Sequence, residues 1–391
     1  MDYAHLTDLF ERQFGRQCRL FFSPGRINLI GEHTDYNDGF VFPGAVDKGI
    51  ALAIAPNGTR TVNVLSADLE GMPACSFSLD DSRRPDQRWA CYVFGTCMEI
   101  AARGFECQGF DAVFTGDVPL GAGMSSSAAI DCVFAFALNE LFCGSRIDRF
   151  ELARIGQATE NNWCGLNCGI MDQFASVFGK KGQLMRLDCR SLEYEYFPFS
   201  PKGYSLVLVD SRVKHMLGGE YNERRQSCEN AVAAIAERHP QVKALRDATH
   251  DMLNEVRNAI SETDYQRALY ILDEKDRVLE VCDSLEKGDY ENVGRCMYRT
   301  HWGMSRQFGA SCPETDFLVE TASACGVSGS RIMGGGFGGC TINLVKDSIM
   351  DDFKREVTRA YRERFTIEPK FYSVTIGDGS HEIILQQPIN Q

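Results

Sequence analysis

Four side chains of unlike chemistry, Arg26, Glu32, His33 and Asp35, fall within ten residues in the glycine-bounded run SPGRINLIGEHTDYNDGFVF from Ser23 to Phe42. Carboxylates that accept, an imidazole that can do either and a guanidinium that donates suit a ligand whose hydroxyls both donate and accept, as a sugar's do. Any one of these residues alone is as well explained by a solvated turn whose carboxylates cap backbone amides. The four together favour a ligand. A metal site is a weaker reading of Glu32, His33 and Asp35, because no second histidine cluster or HExxH helix accompanies them.

A second group lies in GDVPLGAGMSSSAAIDCVF, where Gly121 and Gly123 let the backbone approach a ligand and Ser125, Ser126 and Ser127 lead into an apolar helical pattern. Free amides and the positive end of a helix dipole form a phosphate site, and a serine hydroxyl can also reach a magnesium ion. An ordinary turn with a serine N-cap accounts for one serine and one glycine, but not for all of them. No GxxxxGK[ST] occurs, and the protein-kinase HRD and DFG elements are absent, so any nucleotide site is of another kind.

Three further segments carry candidates. GGGFGG from Gly334 to Gly339 satisfies GxGxxG, yet it precedes the strand-like CTINLV, whereas a dinucleotide fingerprint follows a strand and opens a helix. A tight turn between elements is an equal reading of it. In ATENNWCGLNCGIMDQFASVF, Glu160 and Asp172 sit among small and apolar residues. In a phosphoryl-transfer site one such acid could bind magnesium and another accept the acceptor's proton, although singly each is more often structural. In EYNERRQSCENAV, Tyr221 begins a helix and can both pack on a ring and donate a hydrogen bond. Arg224 and Arg225 read there as a solvated face.

The elements that must position these groups follow from periodicity. Residues up to about 200 alternate short β-like runs with glycine-rich turns, interrupted by a helix from Ser127 to Phe142 whose Ile130, Val133, Phe134, Ala137, Leu138 and Leu141 form one stripe. A strand-like YSLVLVD then leads into a mostly helical stretch from Glu220 to about Cys325, and the chain closes with a helix near Asp351 to Phe365 and the strand-like KFYSVTI. The expected division is residues 1–200 and 201–391, in keeping with a length of 391 residues. With 44% hydrophobic and 24% charged residues the chain is ordinary globular protein. A net charge of −13 gives no global support for binding nucleic acid or an anionic membrane. The sixteen cysteines form no CxxC pair or zinc-type cluster and read mostly as buried thiols. With a start unlike a signal peptide and no membrane-spanning run, they point to the cytoplasm. No oligomeric partner is indicated, and a monomer is consistent with the sequence.

In this order the motifs resemble those of the GHMP small-molecule kinases, which include galactokinases, homoserine kinases and mevalonate kinases, and the galactokinase branch above all. GRINLIGEHTDY is similar to the galactokinase signature, PLGAGMSSSAA to the family's phosphate loop and IMGGGFGGC to its third motif, while CGIMDQF, EYNERR and SCPETDFLVETA are also galactokinase-like. The resemblance, from about residue 20 to about residue 380, implies an α+β, two-domain GHMP kinase fold with ATP and sugar in the interdomain cleft. It implies transfer from ATP to the anomeric hydroxyl of α-D-galactose, with Mg2+. Residue by residue, Asp172 matches the catalytic aspartate that takes the anomeric proton. Arg26 matches the arginine beside it, whose charge complements Asp172 and the transferring phosphoryl group. Glu32, His33, Asp35, Gly169 and Tyr221 match galactose contacts, with Asp35 sensing the fourth carbon. Ser127 and Glu160 match magnesium ligands, Gly121, Gly123, Ser125 and Ser126 the phosphate contacts, and Trp89 a residue near adenine. Met124 replaces the usual leucine, a change of similar volume; HMLGGEYN and DSRV also depart from the common pattern. Two other functions share these motifs: a kinase of N-acetylgalactosamine or another sugar, and a non-catalytic galactose and ATP sensor. YNDG after Asp35 favours galactose, and the intact SSSAA with Asp172 favours catalysis.

Overall fold

The computed structural model describes residues 1–68, 74–119, 123–213 and 218–385. Arg19–Asn28, buried along nearly its whole length, pairs antiparallel with Pro43–Pro56, which pairs with Phe110–Gly116. Thr61–Ser66 continues this sheet in parallel, and Cys75–Ser78 closes one edge. The other edge is His381–Ile383 from the far end of the chain, so the C-terminal segment returns to the first sheet. A strand buried on both faces needs cover on both. One cover is the helix Ser126–Phe142, with Ala90–Ala102, Arg149–Trp163 and Met171–Phe178 packed around it; the other is the N-terminal helix Tyr3–Phe14. The central helix begins one residue before the expected Ser127 and is buried at Ala128, Ala129, Cys132 and Val133.

The helical stretch expected from Glu220 to about Cys325 is a run of helices from Gly218–Ala236 to Pro313–Ala324. They accompany a four-stranded antiparallel sheet in the order Gly329–Ile332, Cys340–Lys346, Tyr204–Asp210, Lys370–Val374. Its outer face is covered by Pro313–Ala324 and Met350–Phe365. A three-stranded sheet joins Phe40–Val41, from within the first part, to Gln183–Asp188 and Tyr194–Pro198, which precede Tyr204–Asp210. One apolar core joins the halves: Ile27, Leu29 and Met124 pack in the same cluster as Leu208, Val278 and Ile342. All sixteen cysteines are free thiols and ten are buried. Among the described residues no helix is long and apolar enough to cross a membrane.

Candidate active site

Arg26 owes its direction to a break in strand pairing. The register of Arg19–Asn28 against Pro43–Pro56 shifts between Pro24 and Arg26, the kind of irregularity that re-aims a side chain. Gly25 sits at the break, where a Cβ would come within 2.6 Å of the Met124 carbonyl oxygen. Arg26, 4% exposed, donates through Nε and Nη2 to the two carboxylate oxygens of Asp172, at 2.7 and 2.9 Å, and through Nη1 to the Gly123 carbonyl. This fork-to-fork pairing fixes both groups. Burial alone would lower the guanidinium's pKa, but Asp172 and then Glu32 raise it. Asp172, in the first turn of Met171–Phe178, also accepts from the Ser125 hydroxyl.

Ser125 precedes Ser126–Phe142 in a left-handed conformation, φ 53°, with no side-chain cap bond. The helix amides are thereby left unpaired by side chains, as a phosphate site requires. Ser127 stands against Glu160, the penultimate turn of Arg149–Trp163. Glu160 is 4% exposed, and its Oε1 has no hydrogen-bond partner among the described residues. Burial pushes the Glu160 carboxyl up, opposed by the Ser127 hydroxyl. Behind it, fully buried Asp131 has both oxygens unpartnered among the described residues and is pushed well above the usual carboxylate range by burial and then by Glu160.

The other end is built by the turn after Asn28. Oε1 of Glu32 accepts from Arg331 Nη2 at 2.8 Å and from the Gly334 amide at 2.7 Å. Arg331 is fully buried and also donates to the Asn28 and Leu29 carbonyls. His33, at φ 63°, bonds Tyr36 through Nδ1 at 2.8 Å, while its buried Nε2 has no hydrogen-bond partner among the described residues. Burial, with Arg224 and Arg331 nearby, drives its pKa down to about 3, so the ring is neutral at pH 7. Asp35 opens the single turn Asp35–Asn37 and is pushed up to about 7, chiefly by burial and next by the charge of Asp172. A Cβ on Gly169 would collide with the Asp35 carboxylate. Tyr221 completes this end, its ring 5.5 Å from His33 and 5.4 Å from Tyr36.

One cavity of about 410 Å³ is lined by Arg26, Glu32, His33, Asp35, Gly169, Asp172 and Tyr221 together with Gly123, Ser125, Ser126, Ser127 and Glu160. That volume suits a small ligand. The glycine run Gly334–Gly339 is the hairpin between Gly329–Ile332 and Cys340–Lys346, and it also forms a cavity wall. Gly336 has φ 89°, and a Cβ there would strike the Ala310 carbonyl, so both backbone and space require glycine. Trp89 lies outside this lining, its ring 5.5 Å from Phe114. Gly121 lies outside the described residues. Arg224 is not on a solvated face: it is 9% exposed, donates to the Gly309 carbonyl at 2.5 Å and stacks 4.7 Å over the Phe337 ring. Arg225 is half-buried, bonded to Glu229 and set over Tyr36.

Arg331 and Asp131 support the site without having been candidates in the sequence, although Asp131 lies within the serine-rich segment GDVPLGAGMSSSAAIDCVF. A charge inside the apolar run GSRIMGGG was the only signal for the first, and an acid within the apolar helix stripe the only signal for the second.

Three family descriptions match the chain: the galactokinase galactose-binding signature over residues 8–56, the GHMP kinases N terminal domain over 92–180 and the GHMP kinases C terminal over 282–363. A galactokinase of Roseiflexus sp. (strain RS-1) is 37% identical over 384 residues, covering 97% of each chain. One of Bacillus subtilis (strain 168) is 38% identical, covering 97% of this chain and 98% of its own. The crystal structure of Lactococcus lactis galactokinase complexed with galactose superposes with a TM-score of 0.94 at 32% identity, over 98% of this chain and 100% of that one. A mevalonate kinase, 16% identical, shares the fold at a TM-score of 0.63 over 92% of this chain and 99% of its own. With a galactokinase signature at its start, both GHMP domains after it and relatives matched end to end, the chain belongs to the galactokinase family of GHMP kinases.

Proposed function

We propose that this kinase transfers the γ-phosphoryl group of ATP to the anomeric hydroxyl of α-D-galactose, giving α-D-galactose 1-phosphate and ADP. The observation that carries the reading is the position of Asp172. It lies in the same cavity as a set of hydroxyl-binding side chains and a helix N-terminus, and it is gripped by Arg26 between them.

Glu32, neutral His33, Asp35 and Tyr221 bind and orient the sugar. His33 lines the cavity, and its buried Nε2 lacks a hydrogen-bond partner among the described residues, one that a sugar hydroxyl would supply. Asp172 takes the proton of the anomeric hydroxyl as its oxygen attacks phosphorus. Arg26 holds that carboxylate in line and places positive charge beside the phosphoryl group, where charge develops. The amides of Ser125, Ser126 and Ser127 receive the phosphates at the helix N-terminus. Gly123 keeps the loop close to Met333 on the glycine hairpin, where a Cβ would stand 3.0 Å from the Met333 carbonyl oxygen. Arg26 is the only arginine or lysine lining the cavity among the described residues, so phosphate charge calls for a cation. Ser127 and Glu160 fit Mg2+: both offer oxygen, and the buried Oε1 of Glu160 lacks a partner. Among the described residues no cluster of three His, Cys, Asp or Glu forms a self-sufficient metal site, which suits an ion shared with nucleotide phosphates. When bound, Mg2+ supplies charge neutralisation at those phosphates.

Galactose, glucose, N-acetylgalactosamine and arabinose, each assayed with ATP by ADP release, test the reading. Galactose is expected to lead glucose by ~100-fold or more in kcat/KM, because a site that hydrogen-bonds one hydroxyl rejects an epimer that misplaces it. Higher kcat/KM on another sugar, or galactose binding without turnover, would contradict it.

A further inference from the structure

The turn that presents Asp35 is short, and what holds its far end comes from two distant parts of the chain. After Asp35–Asn37, Asp38 takes a left-handed conformation, φ 57°, and its amide bonds back to the Asp35 carbonyl at 3.2 Å. Arg190 Nε donates to Asp38 Oδ2 at 3.1 Å, and the same guanidinium makes a bidentate pair with Asp247 at 2.7 and 2.9 Å. Arg246 donates to the Asp38 carbonyl at 3.1 Å and to the Asp188 carboxylate, and lies 4.4 Å over the Phe40 ring. Asp188 ends a strand of the three-stranded sheet, where Phe40 pairs with it, and Arg190 lies in the turn that follows; Arg246 and Asp247 form the short turn Leu245–Asp247 among the C-terminal helices. None of these four charged residues lines the cavity.

We propose that the pairs Arg190–Asp247 and Arg246–Asp188 are positioning residues for the sugar turn, setting galactose affinity and leaving the chemical step alone. The inference rests on the galactose reading above. The pairs do not line the cavity, and they bear on Asp35 through the turn that presents it, held at Asp38 by Arg190 and Arg246. The Arg246 pair is largely buried, whereas Arg190 and Asp38 are about 40% exposed, 39% and 44% by side chain, which makes the bracket sensitive to salt.

The test uses the full chain with Arg246→Met, which keeps the alkyl stem over Phe40, and Asp247→Asn, which is nearly isosteric. The more exposed Arg190–Asp247 pair is worth up to ~1 kcal/mol, or about fivefold in binding, and the largely buried Arg246–Asp188 pair more. The expected result is a rise in KM for galactose of up to about fivefold for Asp247→Asn and at least about fivefold for Arg246→Met, with kcat and KM for ATP within about twofold of the parent. In the parent, KM for galactose should climb with ionic strength; in the double variant, which keeps only the Arg190–Asp38 pair, the climb should be clearly smaller. An unchanged KM for galactose in both variants, a loss confined to kcat, or a salt-independent parent would overturn the proposal. A parent enzyme that does not phosphorylate galactose would overturn the functional reading instead.

Discussion

Asp35 and Asp172 share one cavity, and their carboxylates repel, yet the two are set to different tasks by their neighbours. Asp172 has a bidentate guanidinium and a serine hydroxyl, whereas Asp35 is pressed against Gly169 and pushed up to about 7. A carboxyl near 7 changes charge in the working range, and on the proposed reading a galactose hydroxyl donates more strongly to the ionised form than to the neutral acid. The sign follows: protonation below about 7 replaces a charge-assisted acceptor with a weaker neutral one. The expected outcome is that kcat/KM for galactose falls as pH drops below about 7, by up to ~10-fold per unit, whereas an Asp35→Asn variant is weaker throughout and lacks this limb. A parent profile flat from pH 6 to 8, measured at saturating ATP, would contradict it. At this scale the sequence was informative where chemistry is local: Arg26, Glu32, His33 and Asp35 are within ten residues and all reach the cavity. It was silent on Arg331, which meets Glu32 across 299 residues, because tertiary pairing leaves no local pattern. Arg224 was misjudged for the same reason, since its cover comes from Phe337 and Gly309 on separate segments.

Element by element, glycines decide how closely the pieces approach. Gly169 has no positive φ, so its constraint is space alone: the Asp35 carboxylate occupies the volume of a Cβ. Gly169→Ala is therefore expected to displace Asp35 and weaken galactose binding by ~10-fold or more, about 1.4 kcal/mol, with KM for ATP unchanged. Calorimetric titration of the variant with galactose checks this, and parent-like affinity would sink it. Helix periodicity located Ser126–Phe142 to within one residue because its stripe is continuous and its start is marked by serines. The glycine run Gly334–Gly339 could be placed before a strand, but not against the phosphate loop. That contact depends on Gly123 and Met333 meeting across the fold.

For the whole molecule, the proposed reaction asks a chain carrying −13 to draw anionic phosphates into a cavity where Arg26 is the only arginine or lysine among the described residues. Local amides, one guanidinium and a cation must outweigh the global field, which local low-dielectric contacts can do because distant surface charge is screened. Periodicity alone supplied the strand-rich start and the helical stretch from Glu220, and the α+β class was legible through the resemblance of the motifs to the GHMP kinases. The return of His381–Ile383 to the first sheet was not, since three residues of strand carry little pattern and their partner is Arg19–Asn28. The core shared by Ile27, Met124, Leu208 and Ile342 keeps the sugar turn and the phosphate helix facing one space. The central claim is transfer to the anomeric oxygen with Asp172 as base, and it is read most directly by NMR of galactose and ATP incubated with the parent and with Asp172→Asn at equal concentration. The parent should yield α-galactose 1-phosphate, and the variant should lose ~1,000-fold or more in rate while still binding galactose, as removal of a general base with intact geometry predicts. Phosphate on any other carbon, or parent-like turnover by the variant, would contradict the account.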